Sequence, residues 1–102
     1  MSQKVYTIDE IKQILKRILK DQTVYTVVLF GSYAKNTATP NSDLDLVIDT
    51  NETMMGFKLF SLISQIEEAF DKEVDAFEKT EITENSKIDE EIKRDGVIVY
   101  EK

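Results

Sequence analysis

Apolar and polar residues alternate along this chain with two different periods, and each change of period marks a new element. Ile8, Ile11, Leu15 and Ile18 recur every three or four residues, and Ile14 and Leu19 widen the stripe, as on one face of a helix. Thr7-Ile8-Asp9-Glu10 just ahead has the form of a capping box, a hydroxyl followed three residues later by a carboxylate. The pattern predicts a helix from Ile8 to Lys20. Lys12, Lys16 and Lys20 fall off the apolar stripe and read as a solvated face.

The period then shortens. Val24 to Phe30 is β-branched and aromatic, apolar on both faces, and stops at Gly31-Ser32, which suits a strand buried within a sheet. Ser32 to Asn36 can form a short helix, and Thr37 to Asn41, with the only proline, reads as a turn. In Asp43 to Ile48 the leucines at 44 and 46 share one strand face and the aspartates at 43 and 45 share the other. Leu59, Leu62, Ile63, Ile66 and Phe70 return to the helical period, with Phe57 and Phe60 alongside. Glu73 to Phe77 reads as a third strand, with Val74 and Ala76 opposite Asp75. Glu84 to Arg94 reads as a charged helix closed by Gly96 in a left-handed cap, and Val97 to Tyr100 as a last short strand. The expected fold is α/β (α+β), a small mixed sheet of three to four strands flanked by helices, in a single domain over residues 1–102.

Composition narrows the chemistry. The 102 residues include no histidine and no cysteine, which removes imidazole catalysis, thiolate metal sites and disulfides. Carboxylates, lysines and tyrosines remain. A net charge of −7 makes the chain a poor non-specific binder of nucleic acid, though bound cations or a basic partner would offset it. No apolar run approaches bilayer length and no charged-then-apolar leader opens the chain, so a cytoplasmic, soluble protein is expected.

The candidate chemistry sits in VVLFGSYAKNTATPNSDLDL. Asp43 and Asp45, about 6.6 Å apart along one strand face, can converge on one or two magnesium ions, which take oxygen ligands and retain substrate phosphates. A third carboxylate is needed, and Asp75 is the candidate because its hydrophobic neighbours leave its face free. Asp49 competes, but is set aside as lying at the strand end with the wrong parity. Gly31 lets the backbone approach a phosphate, Ser32 adds a hydroxyl, and Lys35, one helical turn on, can reach a triphosphate or a neighbouring carboxylate. Tyr33 can stack on a base, but hydrophobic packing is the expected role. The spacing lacks the glycine and oxygen-rich pattern of an EF-hand loop, so calcium binding of that kind is not expected.

Gly31-Ser32-Tyr33-Ala34-Lys35-Asn36 followed by Ser42-Asp43-Leu44-Asp45-Leu46, then Val74-Asp75 and Asp95-Gly96-Val97, resembles the minimal nucleotidyltransferases of the DNA polymerase β-like superfamily. Their pattern is Gly-Ser-x-Ala-Arg-Gly, a spacer, and Ser-Asp-x-Asp-Leu. Residues 31–46 carry most of the likeness. Lys35 stands for the family's arginine and cannot make its bidentate contact, and Asn36 stands for a glycine, being a residue that tolerates the left-handed conformation. The resemblance implies that Asp43 and Asp45 hold magnesium and the nucleotide phosphates. It implies that Asp75 binds the catalytic metal and helps activate an acceptor hydroxyl, and that Gly31 and Ser32 hold the β/γ end of ATP. It further implies a small helical HEPN-domain toxin as partner, this chain being the antitoxin that transfers AMP to it. Two other readings compete: an antitoxin that neutralises its partner by contact alone, and a free-standing transferase acting on a small molecule or an RNA end.

Overall fold

A computed structural model describes residues 4–51, 53–54 and 56–102. Helix α1 (Ile8–Leu19) starts where the capping box predicts: the Glu10 N–H donates to the Thr7 hydroxyl at 3.1 Å, and the Thr7 N–H to the Glu10 carboxylate at 2.9 Å. Ile11, Leu15 and Leu19 are fully buried, one every turn. Strand β1 (Thr26–Phe30) runs into the short helix α2 (Gly31–Ala34), and β2 (Leu44–Asp49) follows the turn. Helix α3 (Phe57–Phe70) leads to β3 (Val74–Glu78), a single turn of 3-10 helix (Lys79–Glu81), α4 (Lys87–Asp95) and β4 (Val97–Glu101).

The strands form one mixed sheet in the order β3-β2-β1-β4. β1 pairs antiparallel with both β2 and β4, and β2 pairs parallel with β3. β1 and β2 therefore occupy the middle, which suits the apolar run of β1 and the Leu44, Leu46 and Ile48 face of β2. Val27, Leu29, Leu44, Leu46 and Ile48 point to one side and pack with α1 and α3 in the main core. Thr26, Val28, Phe30, Asp45, Val47 and Asp49 point to the other side, where α2, the 3-10 turn and α4 pack. That second layer is thin, so the aspartates stay within reach of solvent.

Three expectations change. Gly96 is extended (φ −62°, ψ 140°), not left-handed. Its glycine is needed because a Cβ there would lie 2.4 Å from the Ile92 carbonyl oxygen and 3.0 Å from Val28, where the end of α4 meets β1. Phe57 and Phe60 are 92% and 70% exposed, because α3 turns Leu62, Ile66 and Phe70 inward instead. Asp49 shares the Asp45 face, since both are odd-numbered positions of one strand. No helix among the described residues is long and apolar enough to cross a membrane.

Candidate active site

The parallel β2–β3 ladder sets Asp45 directly beside Asp75, so two carboxylates from distant parts of the chain sit on adjacent strands about 4.8 Å apart at the backbone. Antiparallel pairing sets Asp45 opposite Phe30, the last residue of β1, and thus beside the turn that Gly31 begins. Gly31 is buried with φ +72°. A Cβ on it would lie 2.1 Å from the Asp45 carboxylate oxygen Oδ2. Only glycine meets both conditions, the left-handed backbone and the contact with a carboxylate. Asp43 is half-buried one residue before β2.

Electrostatics follow from this packing. Burial, and then the charges of Asp75, Asp43 and Glu91, push Asp45 up from an ordinary aspartate value to about 6. Glu91 on α4 has no motif around it, and only the docking of α4 brings it here. It also takes Lys35, whose Nζ lies 3.3 Å from its carboxylate. Of the two partners open to Lys35, triphosphate or neighbouring carboxylate, the structure shows the second. Ser32 is half-buried, and its carbonyl accepts from the Thr37 N–H at 2.9 Å. Asn36 is left-handed with φ 61°, as its place in the motif predicts. Tyr33 is 4% exposed and packs in the main core, away from any stacking role.

A second residue without a sequence signature is Lys72. It is 7% exposed, and its Nζ donates to the carbonyls of Pro40 at 2.9 Å and Ser42 at 3.0 Å. The Leu44 N–H donates to the Glu73 carbonyl at 3.1 Å beside it. These bonds tie the turn that delivers Asp43 to the segment that delivers Asp75. Asp49, by contrast, lies four residues or about 13 Å along the strand from Asp45. It is engaged by Lys79 at 3.7 Å and by the Asn51 N–H at 2.9 Å, so distance and pairing, rather than parity, remove it from the site.

The donor chemistry fits a hard divalent cation: the groups brought together are carboxylates, and burial, then like-charged neighbours, raise the half-buried one to about 6, a cost that a bound cation would offset. Among the described residues no group of three or more acidic side chains is arranged to hold a metal ion by itself. Asp45 and Asp75 are adjacent, with Asp43 close enough to act on Asp45 by charge. Such a set calls for further oxygens, and substrate phosphates commonly supply them to magnesium.

Residues 8–99 match the family model for the nucleotidyltransferase domain. Among similar proteins, two come from Methanocaldococcus jannaschii and carry the name "putative protein adenylyltransferase". One is 37% identical over 97 residues, covering 91% of this chain and 98% of its own, and the other is 38% identical over 80 residues, covering 74% and 82%. Two solved structures share the fold. A toxin–antitoxin structure with AMP-PNP superposes with a TM-score of 0.74 at 20% identity, over 89% of this chain and 73% of the other. A complex of tri-AMPylated Shewanella oneidensis HEPN toxin with its MNT antitoxin gives 0.69 at 16% identity, over 94% and 74%.

Proposed function

The chain belongs to the nucleotidyltransferase domain family, and from that premise we propose that it transfers AMP from magnesium-bound ATP to a hydroxyl of a small helical HEPN-type partner, as the antitoxin of the pair. The observation that carries the reading is the in-register pairing of Asp45 with Asp75 beside the Gly31-Ser32 turn. It sets two carboxylates beside a turn of a size to take a phosphate, which supports a cation and a triphosphate bound together there. The name carried by the Methanocaldococcus jannaschii relatives supports a protein acceptor. The HEPN partner in a structure of the same fold supports the kind of protein.

Asp43, Asp45 and Asp75 would hold magnesium, which supplies Lewis acidity at the phosphates and offsets their charge. Gly31 and Ser32 bind the β/γ end of the triphosphate through backbone N–H groups and the Ser32 hydroxyl. Lys35 leaves Glu91 for the triphosphate or stays paired and keeps Glu91 neutralised. Asp75, exposed on the edge strand, faces the side from which an acceptor hydroxyl can arrive and orients it toward the α-phosphorus. The acceptor hydroxyl gives up its proton to the Asp75 carboxylate as its oxygen forms the new bond to that phosphorus, the bond to the β-phosphate oxygen breaks, and pyrophosphate leaves. The chain contributes position and electrostatic stabilisation more than covalent chemistry.

The test is mass spectrometry of the chain co-purified with its helical partner and incubated with ATP and magnesium. The partner should gain the mass of AMP, and the gain should vanish with Asp43→Asn combined with Asp45→Asn. A tight complex with no adduct under any condition would replace transfer by neutralisation through contact. Labelled AMP on RNA or a small molecule, with no complex, would establish a free-standing enzyme.

A further inference from the structure

Lys12, Lys16 and Lys20, which the sequence pattern assigns to a solvated face, line a groove of about 550 Å³ together with β4 residues 98–101 and Lys102 after it. β4 is an edge strand: it pairs with β1 on one side, and among the described residues no strand pairs with the other. Its outer N–H and C=O groups are therefore a template for a further strand, one interrupted at Val99, where the register against Val27 and Val28 shifts by a residue. None of the three lysines is ion-paired to a described carboxylate, although the chain holds 20 acidic against 13 basic residues. Lys102 adds a fourth positive charge and Glu101 a single negative one, so the lining carries four cations against one carboxylate. A row of unpaired cations along an open edge, on a chain of net charge −7, is a local reversal of sign.

The spacing makes the reversal specific. Lysines four apart on a helix repeat every ~6 Å along its axis. Alternate side chains on one face of a strand repeat every ~6.8 Å. Three lysines thus span roughly the distance that three alternate residues of an extended chain span. Ile98, 51% exposed, offers an apolar contact on the opposite face of the sheet, and the Tyr100 hydroxyl, donating to the Leu19 carbonyl at 3.3 Å, fixes strand and helix together. The groove is preformed.

We infer that this groove binds an extended acidic segment of another protein as a fifth strand on β4, with carboxylates at alternate positions facing Lys12, Lys16 and Lys20. Main-chain hydrogen bonds to the edge supply affinity and the lysine row supplies register and choice of partner. A second copy of this chain does not fit: antiparallel pairing of β4 with itself, about an axis normal to the sheet, sets two lysine rows on the same side of the joint. Nucleic acid is disfavoured because its phosphates make no use of an open strand edge, whereas an extended peptide pairs with it. β1 separates the groove from β2, and β1 and β2 separate it from β3, so it does not rest on the nucleotidyl-transfer reading.

The probe is a capped fluorescent peptide, Thr-Glu-Val-Glu-Val-Glu-Thr, titrated with the full chain by anisotropy at low salt and followed by amide hydrogen exchange. Saturable binding with new protection of β4 amides is expected. A variant combining Lys12→Gln, Lys16→Gln and Lys20→Gln should bind at least tenfold more weakly while melting at the wild-type temperature. The same peptide N-methylated at alternate backbone amides should lose at least tenfold, since its charges remain but its strand edge does not. Equal binding of the N-methylated peptide, or of a single-stranded oligonucleotide, would overturn the strand-addition model in favour of a general anion site. No binding of the parent peptide, or self-association of the triple variant in its place, would show that the lysines only guard the edge.

Discussion

Asp45→Asn should stabilise the metal-free protein above about pH 6 and leave it nearly unchanged near pH 4. In the fold, burial and the charges of Asp75, Asp43 and Glu91 hold this carboxyl protonated up to about 6, against 3.8 for an ordinary aspartate. Between those values the folded state keeps a proton that the unfolded chain has released. Folding stability therefore falls as pH rises through the window, and the full penalty applies above it. At roughly 1.36 kcal/mol per pH unit, the rise sets a ceiling of about 3 kcal/mol. The side chain is only half-buried, and screening by solvent brings the expected effect to about 1–2 kcal/mol. For a domain of this size that is a melting-temperature increase of about 4–10 °C. Thermal melts of wild type and variant in chelator, from pH 4 to 8, read the effect directly. The difference should grow from near zero to a plateau above about pH 6.5, and added magnesium should raise the wild type more than the variant. A variant that melts below wild type at pH 8 without metal would refute the reasoning, because the carboxylate would then be a net stabilising partner. A difference independent of pH would refute it as well.

Gly31→Ala, placed at φ +72° against the Asp45 carboxylate, should cost about 1–2 kcal/mol in urea denaturation from backbone strain alone. Calorimetry should show ATP-magnesium affinity reduced more than tenfold. Lys72→Met keeps the buried stem but removes both bonds to the Pro40–Ser42 turn, so it should cost about 2–4 kcal/mol and lower kcat more than it raises KM. Partial recovery by Lys72→Arg would separate positioning of Asp43 from a general loss of packing. Asn36→Ala, at φ 61°, should cost about 1 kcal/mol in thermal melts, whereas Asn36→Gly should remain within a few tenths.

Sequence alone determined the parts whose causes are local. The Thr7–Glu10 capping box, the helical stripe of α1 and the apolar runs of β1 and β2 are written in neighbouring residues, and each element forms within one or two residues of its expected limits. The break after β1 at Gly31-Ser32 is equally local, whereas Asp43 lies one residue before β2, so the strand's two-residue period fixes the facing of Asp45 alone. Tertiary structure decided the rest. Asp75 becomes a neighbour of Asp45 only through the parallel register of β2 and β3, thirty residues apart in sequence. Glu91 and Lys72 join the site through the docking of α4 and the return of the chain after α3, and neither stands in a pattern that would mark it. Gly96 shows the same division: its type is legible as a helix-end glycine, but the close approach of Val28 and the Ile92 carbonyl, not a left-handed turn, is what requires it. Phe57 and Phe60 match the helical period yet face outward, because period fixes the angle between side chains but not which face the sheet will cover. Local sterics and hydrogen bonding set each element, whereas contacts between elements depend on the whole arrangement of buried surface, which no single stretch of the chain encodes.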